Sequence, residues 1–197
     1  VVEWANPADA SKTLKFPNYE NVAVNIPAVQ KYQPETFYTQ TVPSVSTTFV
    51  VDENGAQVSM QPVVDYLFVN IKSTEPISKL YLELVKSNGS QKYNIAGKGQ
   101  LARYELGNDY RYMLNVIDED ESDIIVLEMD ESSDAVTCHD ANTYVFTVPA
   151  GILGMNDDVQ ACIFVNEYKS SPDFYVANGN AQLNFFWDTK GTASTDD

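Results

Sequence analysis

Apolar and polar residues alternate with a period of two through most of this chain. In "ISKLYLELVKSNGSQKYNIAGKG", residues 77–99, Leu80, Leu82 and Leu84 fall on one face and Lys79, Tyr81 and Glu83 on the other. Successive side chains of a strand point to opposite faces, so this pattern predicts a strand buried on one side. Asn88 and Gly89 then supply residues suited to a tight turn, which predicts a hairpin returning through "YNIAGKGQL". "TTFVV" and "AQVSM" flank Asn54-Gly55 in the same way, and "DFYVANGNAQLNFFW" predicts a third hairpin at Asn178-Gly179. "VVDYLFVNI" at 63–71 is largely apolar, as expected of a central strand buried on both faces. "ARYEL", "YRYMLNVI", "IIVLEM", "DAVTC", "TYVFTVPA" and "DVQACIFVN" read as further strands. No long window favours the helical period of about 3.6 over the strand period. Short strands spaced by roughly 8–12 residues, with turn signals between them, predict an all-β protein built as an antiparallel β-sandwich.

The pattern is less regular before residue 46. Five of the nine prolines (Pro7, Pro17, Pro27, Pro34 and Pro43) lie there, and the first glycine is Gly55. Proline removes amide donors and limits strand length. Residues 1–45 are therefore expected to form an extended proline-rich N-terminal arm. Short edge strands are expected in it at "TLKF" (13–16) and "NVAVNI" (21–26). Residues 46–190 are expected to form the β-sandwich domain, and 191–197 a frayed tail.

Composition narrows the function classes. The 197 residues include twelve Tyr and nine Phe against four Met, a balance that favours strands. The formal net charge is −16, with 28 acidic and 12 basic residues. Such a chain repels polyphosphate and anionic membrane surfaces, so nucleic acid is excluded as an expected partner. No stretch approaches the roughly 18 continuous apolar residues of a membrane helix. The chain opens at Val1 without Met, basic n-region or apolar h-region, as expected of a mature product whose leader has been removed.

Candidate chemistry is sparse. His139 is the only histidine, beside Cys138, and is expected in a turn before Asp140 and Asn142. No G-x-S-x-G elbow accompanies it, so no enzyme activity is expected and no catalytic residue is assigned. Cys138 and Cys162 could form one bridge or remain two buried thiols. "IAGKGQ" lacks the spacing of a phosphate loop, and Asn88-Gly89-Ser90 is explained by its turn as fully as by a glycosylation sequon. Asp118, Glu119, Asp120, Glu121 and Asp123 make one acidic loop. Its default role is a solvated tip that discourages edge aggregation, with Asp118, Asp120 and Asp123 as a calcium candidate. Trp4 and Trp187, with outward-facing tyrosines such as Tyr81, Tyr104, Tyr110 and Tyr112, are candidate platforms for stacking on sugars.

Motif order adds a resemblance. An apolar strand (Val63–Ile71), an "I-S-K-L-Y-L" strand (Ile77–Leu84), a turn and Ile95-Ala96-Gly97 follow one another. Ile124–Met129, an acidic or polar turn and "TYVFTVPA" (Thr143–Ala150) come later. This order, over roughly residues 46–170, resembles the fimbrillin-like proteins of Bacteroidales, the subunits and associated lipoproteins of type V pili. Those subunits commonly hold two sandwich domains, whereas this chain reads as one with an arm. The resemblance implies a transthyretin-like sandwich, export to the outer membrane or cell surface, and a non-catalytic role as fimbrial subunit or fimbria-associated adhesin. The implied partners are other fimbrial subunits or host and bacterial surface ligands, with membrane attachment only through a processed lipid anchor. It also implies assembly by strand exchange, for which Leu14, Phe16, Val22, Val24 and Ile26 in the arm and the segment Ala181–Trp187 are the candidates. The alternative is a glycan-binding surface lipoprotein.

Overall fold

The computed structural model describes residues 2–6, 9–16, 23–33, 44–53, 55–86, 88–89, 91–106, 109–116, 122–129, 138–153, 159–177, 184–187 and 193–195, and among these there is no helix. The strands in chain order are β1 (Val2–Asn6), β2 (Asp9–Phe16), β3 (Ala23–Ile26), β4 (Val29–Lys31), β5 (Ser44–Asp52) and β6 (Gly55–Pro62). They continue with β7 (Val64–Ser73), β8 (Lys79–Lys86), β9 (Gly97–Leu106), β10 (Asp109–Val116) and β11 (Ile124–Glu128). The last five are β12 (Cys138–Pro149), β13 (Val159–Val165), β14 (Phe174–Ala177), β15 (Asn184–Trp187) and β16 (Ala193–Thr195).

Two sheets face each other across the core. One has five strands in the order β14-β13-β8-β11-β4, the other four in the order β12-β7-β15-β16. A three-stranded sheet, β10-β9-β3, closes one side. It is tied to the end of β12 where the Leu114 amide donates to the Ala150 carbonyl at 3.0 Å. β1–β2 and β5–β6 are separate two-stranded hairpins.

The alternation read from residues 77–84 holds on the inner side. Leu80, Leu82 and Leu84 of β8 are fully buried, opposite the inward residues of β7 and β12 such as Ile71, Tyr144 and Phe146. Aromatic rings bridge the two sheets: Phe174 of β14 meets Phe185 of β15 with centroids 4.7 Å apart. Burial of such side chains is the main stabilising term, at roughly 25 cal/mol per Å² of apolar surface.

One polar group crosses the core with them. Gln30 of β4 is fully buried, and its side-chain amide behaves as an extra strand residue. Nε2 donates to the Thr147 carbonyl at 2.8 Å and to the Pro27 carbonyl at 3.3 Å, while the Thr147 amide donates to Oε1 at 2.9 Å. It thereby satisfies backbone groups on the edge of β12 that β7 does not reach.

Several expectations are corrected. The 77–99 hairpin closes only at its turn, where the Lys86 amide donates to Gln91 and the Tyr93 amide to Leu84, both at 2.9 Å. From Glu83 to Lys79 the same edge of β8 is taken by β11, so the returning chain peels away and enters the three-stranded sheet as β9. The strands around the third Asn-Gly are not hairpin partners: β14 pairs with β13, and β15 pairs with β7 in the other sheet. β7 is buried on one face only, since Phe68 on its outer face is 41% exposed. It is β13 that carries the near-continuous burial expected of a central strand.

The sandwich is also mixed, with β4 parallel to β11 and β15 parallel to β7. Part of the expected arm is body, because β3 pairs with β9 and β4 with β11. β16 pairs with β15 inside the expected frayed tail. Cys138 and His139 open β12, and His139 lies within the irregularity between Cys138 and Asn142, so it sits in an irregular stretch of a strand and not in a turn.

Candidate functional site

The outer face of the five-stranded sheet gathers the polar chemistry of the described residues. The register aligns side chains into rows across it. Tyr175, Cys162, Glu83 and Ile124 form one row, and Phe164, Tyr81, Val126 and Val29 the next. Lys79, Glu128 and Lys31 form the third.

Glu83 is only 6% exposed although it points outward, because a loop and its partners cover it. The Tyr168 hydroxyl donates to Glu83 Oε1 at 2.7 Å, Lys92 forms an ion pair with the same oxygen, and Lys92 Nζ donates to the Tyr168 hydroxyl at 3.0 Å. Lys92 also lies 3.6 Å from Asp123 Oδ2. The hydrogen bond to Glu83, then that to Tyr168, holds the Lys92 ammonium well above the ordinary lysine range. For Tyr168 the hydrogen bond from Lys92 favours the phenolate, but burial and the bond to Glu83 outweigh it and the phenol is raised. A buried carboxylate with one cationic and one neutral donor is a satisfied network rather than an orphaned charge.

The ring of Tyr168 is thereby fixed over the sheet. It packs 4.7 Å from Phe164 and 6.2 Å from Tyr81, centroid to centroid. Its loop is held at both ends by side chains acting as backbone caps. Asn166, at φ +63°, accepts from the Ser78 amide at 2.7 Å and donates to Pro76 at 2.9 Å. Asp173 accepts from the Val165 amide at 2.9 Å and pairs with Lys169 at 2.6 Å.

Beneath the network, Cys162 is a free, buried thiol. Burial first, and the Glu83 carboxylate second, push it up to about 11, the state of an inert structural cysteine. It lies on the outer row of β13, whereas Cys138 belongs to β12 in the opposite sheet, which places the two open alternatives on the side of unbridged residues. In the third row, Lys31 pairs with Glu128, and Lys79 Nζ lies 3.0 Å from the same carboxylate. Hydrogen bonds from Lys31 and then Lys79 hold Glu128 below the usual carboxylate range.

The residues singled out from the sequence are scattered. Trp187 is 7% exposed, in the core beside Phe174, with Lys169 Nζ 5.3 Å from its ring centroid; the expected sugar platform is a packing residue. Tyr112 is likewise buried. Val24 and Ile26 are buried in the chain's own core through β3, and the backbone of Leu14 and Phe16 lies in β2, paired with β1. Asp118, Asp120 and Val22 lie outside the described residues, as does the side chain of Trp4. Asp123 is placed against Lys92, and no group of three His, Cys, Asp or Glu that could hold a metal occurs among the described residues. Tyr168 and Lys92 carried no sequence signal beyond residue type, because their partners are 85 and 9 positions away in the chain.

A cavity of about 220 Å³ lies behind Lys92, lined by Tyr93, Leu114 and Ile152 among others. It is smaller than the usual ligand cleft of roughly 300–1,000 Å³. In "IAGKGQ", Gly97 has φ +116°, and a Cβ on Gly99 would meet the Asn115 carbonyl oxygen at 2.7 Å. Both glycines answer to backbone geometry. Comparison of the chain with protein-family profiles, curated proteins and solved structures finds no match.

Proposed function

We propose that this chain is a non-catalytic surface protein that assembles by β-strand addition, as a fimbrial subunit or fimbria-associated adhesin. The observation that carries the reading is β15. This four-residue strand lies parallel to β7, from Asn184↔Asn70 to Trp187↔Ser73, and inserts Phe185 and Trp187 into the core. Main-chain hydrogen bonds with alternate side chains seated in pockets are the physical form of strand addition. β15, with β16 paired to its other edge, is held to the rest of the sheet by this short ladder and two anchors, and a segment so held can make the same contacts to the next copy, which is how strand exchange builds chains of subunits. Segment 184–187 is preferred over β3 as donor because it seats two aromatic anchors, Phe185 and Trp187, where β3 seats Val24 and Ile26.

Asn70 and Asn184 are register partners in the β7–β15 ladder, so Asn70→Cys with Asn184→Cys would hold β15 in its own chain. The wild-type chain is expected in sheared surface filaments as a detergent-resistant ladder, and the oxidised double variant as a monomer that regains the ladder on reduction. An undiminished ladder from the oxidised variant would eliminate β15 as the donor. Absence of the wild-type chain from the filament fraction would eliminate the role itself.

A further inference from the structure

We infer that the outer face of the five-stranded sheet docks against the same face of a second copy of this chain, through a two-fold contact separate from any exchanged strand. Three of the four large apolar side chains exposed among the described residues lie on this one face: Val29 at 48%, Tyr168 at 41% and Tyr175 at 55%. Tyr81 and Val126 lie between them, so the exposed positions form a band across the strands. A contiguous apolar band rimmed by charges is the composition of an interaction surface.

Charge points to the occupant. The chain carries a formal −16, yet among the described residues of this face Lys31, Lys79 and Lys92 stand against Glu83, Asp123 and Glu128, each lysine paired within the chain. Two copies repel each other over most of their surfaces and can approach without that cost where the local charge cancels. A cationic partner would instead prefer the acidic remainder of the molecule.

Shape points the same way. The sheet has β8 at its centre, with β13 and β14 on one side and β11 and β4 on the other. Tyr168 rides above Phe164 and Tyr81, raising the β13 side, while the other side carries the lower relief of Ile124, Val126 and Val29. A two-fold axis along β8 exchanges the sides. It lowers Tyr168 onto Val126 of the second copy and brings Tyr175 over the β4 edge one row, about 7 Å along the strand, from Val29, a knob-and-shelf fit of the kind an isologous contact requires. Because Glu83 and Lys92 already fix the Tyr168 hydroxyl, the knob is ordered before contact, which lowers the entropic cost of docking. Five strands about 4.8 Å apart, over about 20 Å of strand, bury about 1,000 Å² in the pair. That is the low end of specific interfaces, so a reversible dimer in the micromolar range follows.

The test is sedimentation velocity of the full chain across about two decades of micromolar concentration. Wild type and the oxidised Asn70→Cys/Asn184→Cys variant should both shift reversibly from monomer to dimer. Val29→Lys and Tyr175→Lys should each weaken dimerisation about tenfold or more, a change of about 1.4 kcal/mol. Phe68→Lys, on the outer face of the other sheet, should leave it unchanged. A monomer throughout the range overturns the inference, as does equal weakening by Phe68→Lys. Dimerisation of the unlocked chain alone would assign association to strand exchange instead.

Discussion

Replacing Gln30 by Leu tests the cross-core amide that joins the two sheets. Leu has about the volume of Gln, so packing is nearly preserved while three hydrogen bonds are lost: two from Nε2 to the Thr147 and Pro27 carbonyls, and one from the Thr147 amide to Oε1. The Thr147 N–H and C=O would then be buried without those partners. Each unsatisfied group costs about 1–3 kcal/mol, and the apolar leucine recovers about 1 kcal/mol of transfer energy. The net expectation is a loss of about 1–5 kcal/mol. For a chain of this size that lowers Tm by roughly 2–20 °C. Urea unfolding followed by circular dichroism reads the same quantity as a lower midpoint with unchanged slope. A change below about 0.5 kcal/mol would refute the reasoning, since it would mean that Thr147 does not depend on Gln30. Gln30→Glu sharpens the test. Burial raises the folded-state pKa of the new carboxyl above its unfolded value, and only the protonated acid can donate to the Thr147 carbonyl. Relative to wild type, this variant therefore loses stability as pH rises from the ordinary glutamate range through the raised value.

Other consequences are direct. Gly99→Ala forces a Cβ to within 2.7 Å of the Asn115 carbonyl oxygen and 2.9 Å of the Leu114 side chain. Backbone oxygen cannot step aside, so a destabilisation of about 1–3 kcal/mol in denaturant melts is expected, and an unchanged midpoint would contradict the close approach. Cys162, pushed up to about 11, should react with iodoacetamide at pH 8 only as fast as the chain unfolds; rapid labelling of the native protein would count against its burial. Glu128 has a depressed pKa, so its contribution is present above the ordinary glutamate value and is lost as pH falls through the depressed one. Glu128→Gln should flatten the acid limb of the stability profile slightly, and added salt should shrink the difference. Lys92 has a raised pKa, so its contribution is present below the ordinary lysine value and fades only as pH rises through the raised one; Lys92→Met should flatten the alkaline limb.

The fold class was legible because burial enforces a period of two. Leu80, Leu82 and Leu84 alternate whatever their partners are, and β5 pairs with β6 as the sequence implied, although the ladder closes at Asp52↔Gly55, one position earlier than a turn centred on Asn54-Gly55 would put it. Pairing was less legible, since alternation fixes which face a residue occupies but not which strand lies beside it. "YNIAGKGQL" has strand character, yet β11 competes for the same edge of β8 and wins it from Glu83 to Lys79. The run "DFYVANGNAQLNFFW" looked like one hairpin because both halves alternate and an Asn-Gly separates them. Its halves instead enter opposite sheets, and they meet across the core through the rings of Phe174, Phe185 and Trp187, not through a ladder.

The candidate site fails to show in the sequence for a related reason. Glu83 reads as one polar residue on an amphipathic strand, and alternation assigns it to solvent. Its burial depends on a loop fixed by Asn166 and Asp173, which lays Tyr168 over the strand, and on Lys92, which returns from the turn beyond Lys86. Local pattern reports the outcome of the hydrophobic effect one face at a time, but a covered polar network arises only when separate segments meet on a face already assigned to water. The outer face of β8 is such a case. Val85, Cys162 and Phe164 form a second, smaller apolar cluster there, closed from above by Tyr81 and Tyr168. A sandwich facing water on both sides does not require that second layer, and its presence is why the apolar band with Val29 and Tyr175 extends across the sheet instead of breaking into single exposed residues.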